Sequence, residues 1–253
     1  MQEKCDGKVI VVTGGGSGIG RAVCRAVAAL GAQVVIVDNN GAAAEETAAT
    51  IAEAGQQSPL MFAADIRDEG RLATMVTAVL EQWGRIDALV HCAGILRPGG
   101  RGPRPMVDLS VDEWETVIGV NLKGTFLCNR AVLPAMIRQR SGQIINLSST
   151  SGIQGRAFDT AYCASKFGVI GLSHSLAEEV RSYGVRVNVI LPDAVDTPMW
   201  DQNGPISRPE DSLPPERVAD LVVFLLGLPE DTVLGDVVIR AFKTRRRKKT
   251  KEV

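Results

Sequence analysis

Two hydrophobic rhythms alternate along this chain. Residues 8–13, Lys-Val-Ile-Val-Val-Thr, form a continuous β-branched run stopped by glycines, as expected of a strand buried on both faces of a parallel sheet. Apolar residues then recur at helical spacing over 19–30, and a second β-branched run follows at 33–38. Together these make a β-α-β unit about 30 residues long. The alternation continues, predicting strands at 60–64, 88–91, 143–147, 185–190 and 236–240 and helices at 42–54, 71–83, 111–139, 160–183 and 215–226. Seven strands alternating with six helices predict one doubly wound α/β sheet with right-handed crossovers. Its ligand crevice lies at the carboxyl ends of the strands.

The length of 253 residues suits a single domain. A hydrophobic share of 45% and a charged share of 23% are those of an ordinary soluble globular protein. Two stretches read as loops, 97–104, rich in Gly, Pro and Arg, and 192–214. Both follow predicted strands, so both rise over the face where a substrate pocket and its lid belong. Residues 1–244 are expected to form the domain and 245–253 a separate basic tail. That tail carries six basic residues and one acidic, leaving -6 on the rest of a chain whose net charge is -1. It reads as a solvated terminus rather than a nucleic-acid or membrane patch. No apolar run is long enough to span a bilayer and the first six residues lack a signal-type apolar stretch, which points to the cytoplasm. Five scattered cysteines without a CxxC pair and only two histidines, His91 and His174, argue against a disulfide framework, a metal site and a Ser-His-Asp triad.

The first predicted strand ends in Thr13-Gly14-Gly15-Gly16-Ser17-Gly18-Ile19-Gly20 and runs straight into a helix. Glycines there allow a tight turn and bring backbone N–H groups up to a pyrophosphate at the positive helix end. The strict GxGxxG fingerprint fails, because position 19 is Ile; a Thr-Gly-x-x-x-Gly-x-Gly pattern fits on Gly14, Gly18 and Gly20. Asp38 closes the second strand 18 residues after Gly20, where a carboxylate accepts the hydroxyl hydrogens of an adenosine ribose. A 2'-phosphate would meet like-charge repulsion there, so NAD is favoured over NADP.

Tyr162 and Lys166 stand four apart and share one face of a helix. Lowering a phenol by about three pKa units takes about 4 kcal/mol. A unit cation about 4 Å away supplies about 4 kcal/mol at an effective dielectric near 20. Lys166 is therefore expected to make Tyr162 an acid/base at neutral pH.

These residues, with Asp65, Asn121 in Val-Asn-Leu-Lys-Gly and Ser149 in Asn-Leu-Ser-Ser, resemble in order and spacing the short-chain dehydrogenase/reductase family over about residues 7–239. The resemblance implies a single Rossmann-like domain with strand order 3-2-1-4-5-6-7. It implies hydride transfer between NAD and a secondary alcohol or ketone, with Tyr162 exchanging the proton and Ser149 hydrogen-bonding the substrate oxygen. By position, Lys166 would also bind the nicotinamide ribose and Asn121 would hold a water linking Lys166 to solvent. Gly14, Ser17, Gly18 and Ile19 would meet the cofactor at the turn, Asp65 and Ile66 at the adenine, Ala93 and Gly94 at the adenine-side ribose, and Val195 and Thr197 at the carboxamide. Leu96, Gln154, Phe158 and Trp200 would wall the substrate pocket, and arginines 97, 101, 104 and 156 are candidates to attract an anionic substrate. The resemblance further implies a homotetramer or dimer built on helices 111–139 and 160–183.

Three departures stand out: His91-Cys92 where the family has Asn-Asn, Pro192-Asp193 where it has Pro-Gly, and the basic terminus. The competing readings are a carbonyl reductase acting on 3-oxoacyl substrates, a non-catalytic dinucleotide-binding protein, and a nucleic-acid or membrane adaptor acting through the tail.

Overall fold

The computed structural model describes residues 5–100 and 102–242. Strands β1 (Val9–Thr13), β2 (Gln33–Asp38), β3 (Leu60–Ala63), β4 (Ala88–His91), β5 (Gly142–Leu147), β6 (Val185–Pro192) and β7 (Asp236–Ile239) form one parallel sheet in the order β3-β2-β1-β4-β5-β6-β7. This is the expected order. Helices α1 (Gly18–Ala28), α2 (Gly41–Glu53), α3 (Glu69–Trp83), α4 (Val111–Ile118), α5 (Gly124–Gln139), α6 (Thr160–Val180) and α7 (Pro215–Leu226) flank it.

Every residue of β1 is buried, which is why three valines and an isoleucine run without alternation up to Thr13. Ile10 and Val12 pack with Val23, Val27, Val222 and Leu225 of α1 and α7. Val9 and Val11 point the other way, into a core with Leu72, Val79, Leu127 and Val132 of α3 and α5. Each such side chain contributes about 1.5–3 kcal/mol of burial. The order reverses between β1 and β4, and the crevice opens there.

The helix predicted over 111–139 is interrupted. A π turn, Gly119–Lys123, separates α4 from α5. Such an insertion is invisible to hydrophobic periodicity, and it turns Asn121 inward, where 1% of its surface remains exposed. Gly124 follows because the helix lies close to β3's exit: a Cβ there would come within 2.4 Å of Ile66. β6 runs two residues beyond its predicted end because Leu191 and Pro192 pair with Val238 and Ile239. α3 starts two residues early because the Asp68 carboxylate caps it, accepting from Arg71 N at 3.0 Å. At the other end of the prediction for 160–183, Arg181–Tyr183 tightens into a 3-10 turn before Gly184.

The loops after β4 and β6 meet over the carboxyl edge, Pro98–Gly100 against Pro198–Asn203. Among the described residues no helix is long and apolar enough to cross a membrane. The basic tail at 245–253 and Arg101 lie outside the described residues.

Candidate active site

The glycine turn is built by close approach. Gly14 has φ +66° and its N–H donates to Val37 O at 2.8 Å. A Cβ on Gly14 would sit 2.8 Å from Ala93 N, and one on Gly20 would sit 2.0 Å from Gly14 O. No side chain fits at either position. Ser17 is the exposed N-cap of α1 with no side-chain cap bond, so the first-turn N–H groups and its hydroxyl face a cavity that Gly14, Gly18 and Ile19 also line. That geometry receives an anion.

Asp38 stands at the end of β2. Its Oδ2 accepts from Gly16 N and its Oδ1 from Asn40 N, both at 2.9 Å, which leaves lone pairs on both oxygens for ribose hydroxyls. Asp65 and Ile66 line the same end, but the Asp65 carboxylate is already paired with Arg67 at 2.6 Å. That hydrogen bond holds its carboxyl below the usual range. Ala93, Gly94, Val195 and Thr197 line the cavity as well; a Cβ on Gly18 would lie 3.0 Å from Thr197.

Ser149, Tyr162 and Lys166 converge on this cavity, which measures about 880 Å³ and extends from Asp38 to Trp200. Lys166, 5% exposed, donates to Leu147 O at 2.9 Å and lies 5.7 Å from the centroid of the Tyr162 ring. Ser148 is spent elsewhere, donating to Lys166 O at 2.9 Å, so Ser149 is the serine that remains at the phenol. Asn121 does not line the cavity. Its amide clamps Ile95, accepting from its N and donating to its O, each at 2.8 Å, and also reaches Ser165 Oγ at 3.1 Å. Its backbone carbonyl accepts from Thr125 Oγ1 at 2.6 Å.

The electrostatics correct one expectation. Burial pushes the Tyr162 phenol up to about 12, and the hydrogen bond with Ser149 only partly opposes this. Lys166 does not dominate, because its ammonium is aimed at Leu147 O and burial depresses it to about 8. His91 ends β4 and is 1% exposed, with Nδ1 2.8 Å from Thr13 Oγ1 and no partner for Nε2 among the described residues. Burial, then the nearby Lys166 charge, lowers it to about 3. It is a neutral, buried residue at physiological pH.

At the substrate end Leu96, Phe158 and Trp200 line the cavity, and Phe158 is held at φ +67°, a costly conformation for an aromatic residue. Gln154, expected in this wall, faces solvent instead. It follows the 3-10 turn Thr150–Gly152 and its N–H is tied back to Thr150 O at 3.0 Å, which carries its side chain off the cavity. The three described arginines among those candidates are each paired with a carboxylate. Arg104 pairs with Glu113 at 3.3 Å, Arg156 with Asp193 at 3.1 Å, and Arg97 with Asp159.

Sequence reasoning passed over a lid latch. Gln202 Oε1 accepts from Leu96 N at 2.8 Å and Arg97 N at 3.2 Å, while the Arg97 guanidinium also bonds Asn203. The only signal was a buried-capable Arg and two amides in facing loops, which is indistinguishable from solvated loop chemistry.

The model of the short chain dehydrogenase family matches residues 8–206. The 3-oxoacyl-[acyl-carrier-protein] reductase of Thermotoga maritima is 35% identical over 248 residues, covering 93% of this chain and 96% of that protein. A metagenomic short-chain oxidoreductase crystallised with NADP superposes with a TM-score of 0.81 at 34% identity, covering 95% of this chain and 100% of the other. The 3-ketoacyl-(acyl-carrier-protein) reductase of Brucella melitensis, complexed with NADH, gives 0.83 at 30%, covering 93% and 98%.

Proposed function

The chain belongs to the short-chain dehydrogenase family of oxidoreductases, and from that premise we propose that it transfers a hydride between NAD and a secondary alcohol or ketone, with Tyr162 as the acid/base. The observation that carries this reading is one cavity lined both by Asp38 and by the Ser149, Tyr162 and Lys166 group.

The glycine turn and the α1 N-terminus would hold the cofactor's pyrophosphate and Asp38 its adenosine ribose. Asp65, Ile66, Ala93 and Gly94 would flank the adenosine, and Val195 and Thr197 the carboxamide. When bound, the cofactor accepts or supplies the hydride and, oxidised, adds a positive ring close to the phenol. Tyr162 takes the proton of the alcohol in oxidation and returns it in reduction, while Ser149 hydrogen-bonds the same oxygen. Lys166 passes the proton onward and binds the nicotinamide ribose. Asn121 would hold a water that links Lys166 to solvent. Burial pushes the phenol up to about 12, and a cationic ring bound beside it would act in the opposite direction, favouring the phenolate.

Cofactor choice rests on Asp38. Among the described residues no arginine or lysine is seen bonded to its carboxylate; the neighbouring Arg21 and Arg67 are paired with Glu46 and Asp65. A 2'-phosphate would therefore face an uncompensated carboxylate, which supports NAD. The proposal extends to one domain over residues 1–244 with its substrate loop at 192–214, to a cytoplasmic location, and to a tetramer or dimer across α5 and α6, where Phe126 and Phe167 are exposed. A 3-oxoacyl reductase is the second reading, favoured by the likeness to the Thermotoga maritima protein. A screen of secondary alcohols, ketones and 3-oxoacyl thioesters, following reduced-cofactor absorbance with NAD and NADP in parallel, tests all of this. Turnover with NADP alone, or with no compound of these classes, refutes the proposal.

A further inference from the structure

Asp193 is the first residue beyond the last β6–β7 pair. Its N–H donates to Ile239 O at 2.9 Å, so its backbone is fixed to β7. Its side chain reaches in the opposite direction, into the loop after β5. Oδ1 accepts from Thr150 Oγ1 at 3.0 Å and from Arg156 Nη2 at 3.1 Å, and the same Nη2 lies 3.4 Å from Thr150 Oγ1. These three side chains close a small ring.

The ring joins two segments that must work together. On one side, Ser149 precedes Thr150 directly, its Oγ accepting from Ser151 N at 3.1 Å and its carbonyl from Gly152 N at 2.9 Å. Thr150 is 2% exposed, so its hydroxyl has no water to fall back on if the acceptor is lost. On the other side, two residues after Asp193, Val195 bridges to Leu213 and its carbonyl accepts from Trp200 Nε1 at 2.8 Å. A glycine at 193 would remove this direct side-chain bond between the two loops and leave the longer link through Arg97, which bonds Asp159 on one and Asn203 on the other.

We propose that Asp193 is a positioning residue that holds the Ser149 loop in register with the Val195–Thr197 segment, so that the group binding the substrate oxygen and the group receiving the nicotinamide keep a fixed separation. This rests on the hydride-transfer reading of the same cavity. A carboxylate suits the task because one oxygen accepts from both a hydroxyl and a guanidinium, the second bond being charge-assisted. Hydride transfer is sensitive to misplacement of the order of 1 Å, so a loosened clamp slows the chemical step without emptying the site.

The test uses full-length enzyme with a substrate found by the screen above and single-turnover stopped flow, which separates the rate of hydride transfer from the fraction of competent enzyme. Asp193→Gly is expected to slow the rate about tenfold or more while the amplitude stays within twofold. Asp193→Asn, which retains an acceptor for Thr150, stays within about threefold. Thr150→Val reproduces the loss and carries the test alone if the glycine variant fails to fold. The double variant is no slower than the slower single, because both remove one interaction. An unchanged rate in the folded glycine variant, a loss confined to amplitude, or additive losses in the double variant would overturn the proposal. Tyr162→Phe in the same assay separates the two levels: normal turnover there sinks the hydride-transfer mechanism itself, whereas a silent Tyr162→Phe with a normal Asp193→Gly sinks only the clamp.

Discussion

At the Gly14–Asp38 end of the cavity the chain presents backbone, closed so tightly that two glycines admit no Cβ; at the Phe158–Trp200 end it presents side chains held by ion pairs from three loops. The first end sits on the carboxyl tips of two central strands and one helix N-terminus, elements whose positions the buried core dictates. It suits a ligand part that never varies. The second is carried on loops after β4, β5 and β6, whose geometry depends on which arginine finds which carboxylate. Arg97 alone bonds Asp159, ahead of α6, and Asn203 in the lid. Rigid backbone recognition and adjustable side-chain recognition therefore meet at Tyr162, and each is open to a separate perturbation.

The largest effect is expected where the ends meet. Tyr162→Phe removes the exchangeable proton and should lower kcat about a thousandfold, about 4 kcal/mol of barrier. Titration of bound cofactor should be nearly unchanged; turnover within tenfold of the unsubstituted enzyme would remove Tyr162 from the mechanism.

At the end of β4, buried His91 tests the packed sheet that carries the cavity. Its folded pKa near 3 lies below the ordinary 6.5, so the folded state resists a proton that the unfolded chain accepts. The stability this represents is fully present above pH 6.5 and is lost progressively as pH falls towards 3. Between pH 6.5 and 4 the loss is about 3 kcal/mol. In urea melts at those two pH values, His91→Asn should flatten that part of the slope; parallel profiles for both proteins would mean His91 is protonated in the fold.

At the backbone end, Asp38→Ala should narrow the NAD-over-NADP ratio of kcat/KM by about tenfold or more, about 1.4 kcal/mol. An unchanged ratio would detach Asp38 from the ribose. At the side-chain end, Arg97→Leu unlatches the lid and should raise substrate KM several-fold, about 1 kcal/mol, with NAD affinity held. Should NAD affinity fall as far as substrate affinity, the two ends are not separable and the contrast between them is lost.

The contrast also governs what could be read before any coordinates. The glycine turn, Asp38 and the Tyr162/Lys166 spacing were legible because each is a local pattern: a run, a strand end, a helical repeat. Ser149 and Asn121 acquired roles only through resemblance. The π turn that aims Asn121, and the solvent-facing turn that takes Gln154 off the cavity, were not legible, since neither alters hydrophobic period.

By itself, then, the sequence determined the alternation of strands and helices, the sheet they form, and the residue types at the cofactor turn, because burial periodicity and backbone sterics act over a few neighbouring residues. Only the tertiary structure decided the state and aim of the chemical groups. The phenol is pushed up to about 12 rather than down, the lysine points at Leu147 O, and Asp193 reaches Thr150 across 43 positions of sequence. Desolvation and long-range hydrogen bonds set those properties, and both exist only once distant segments are packed together.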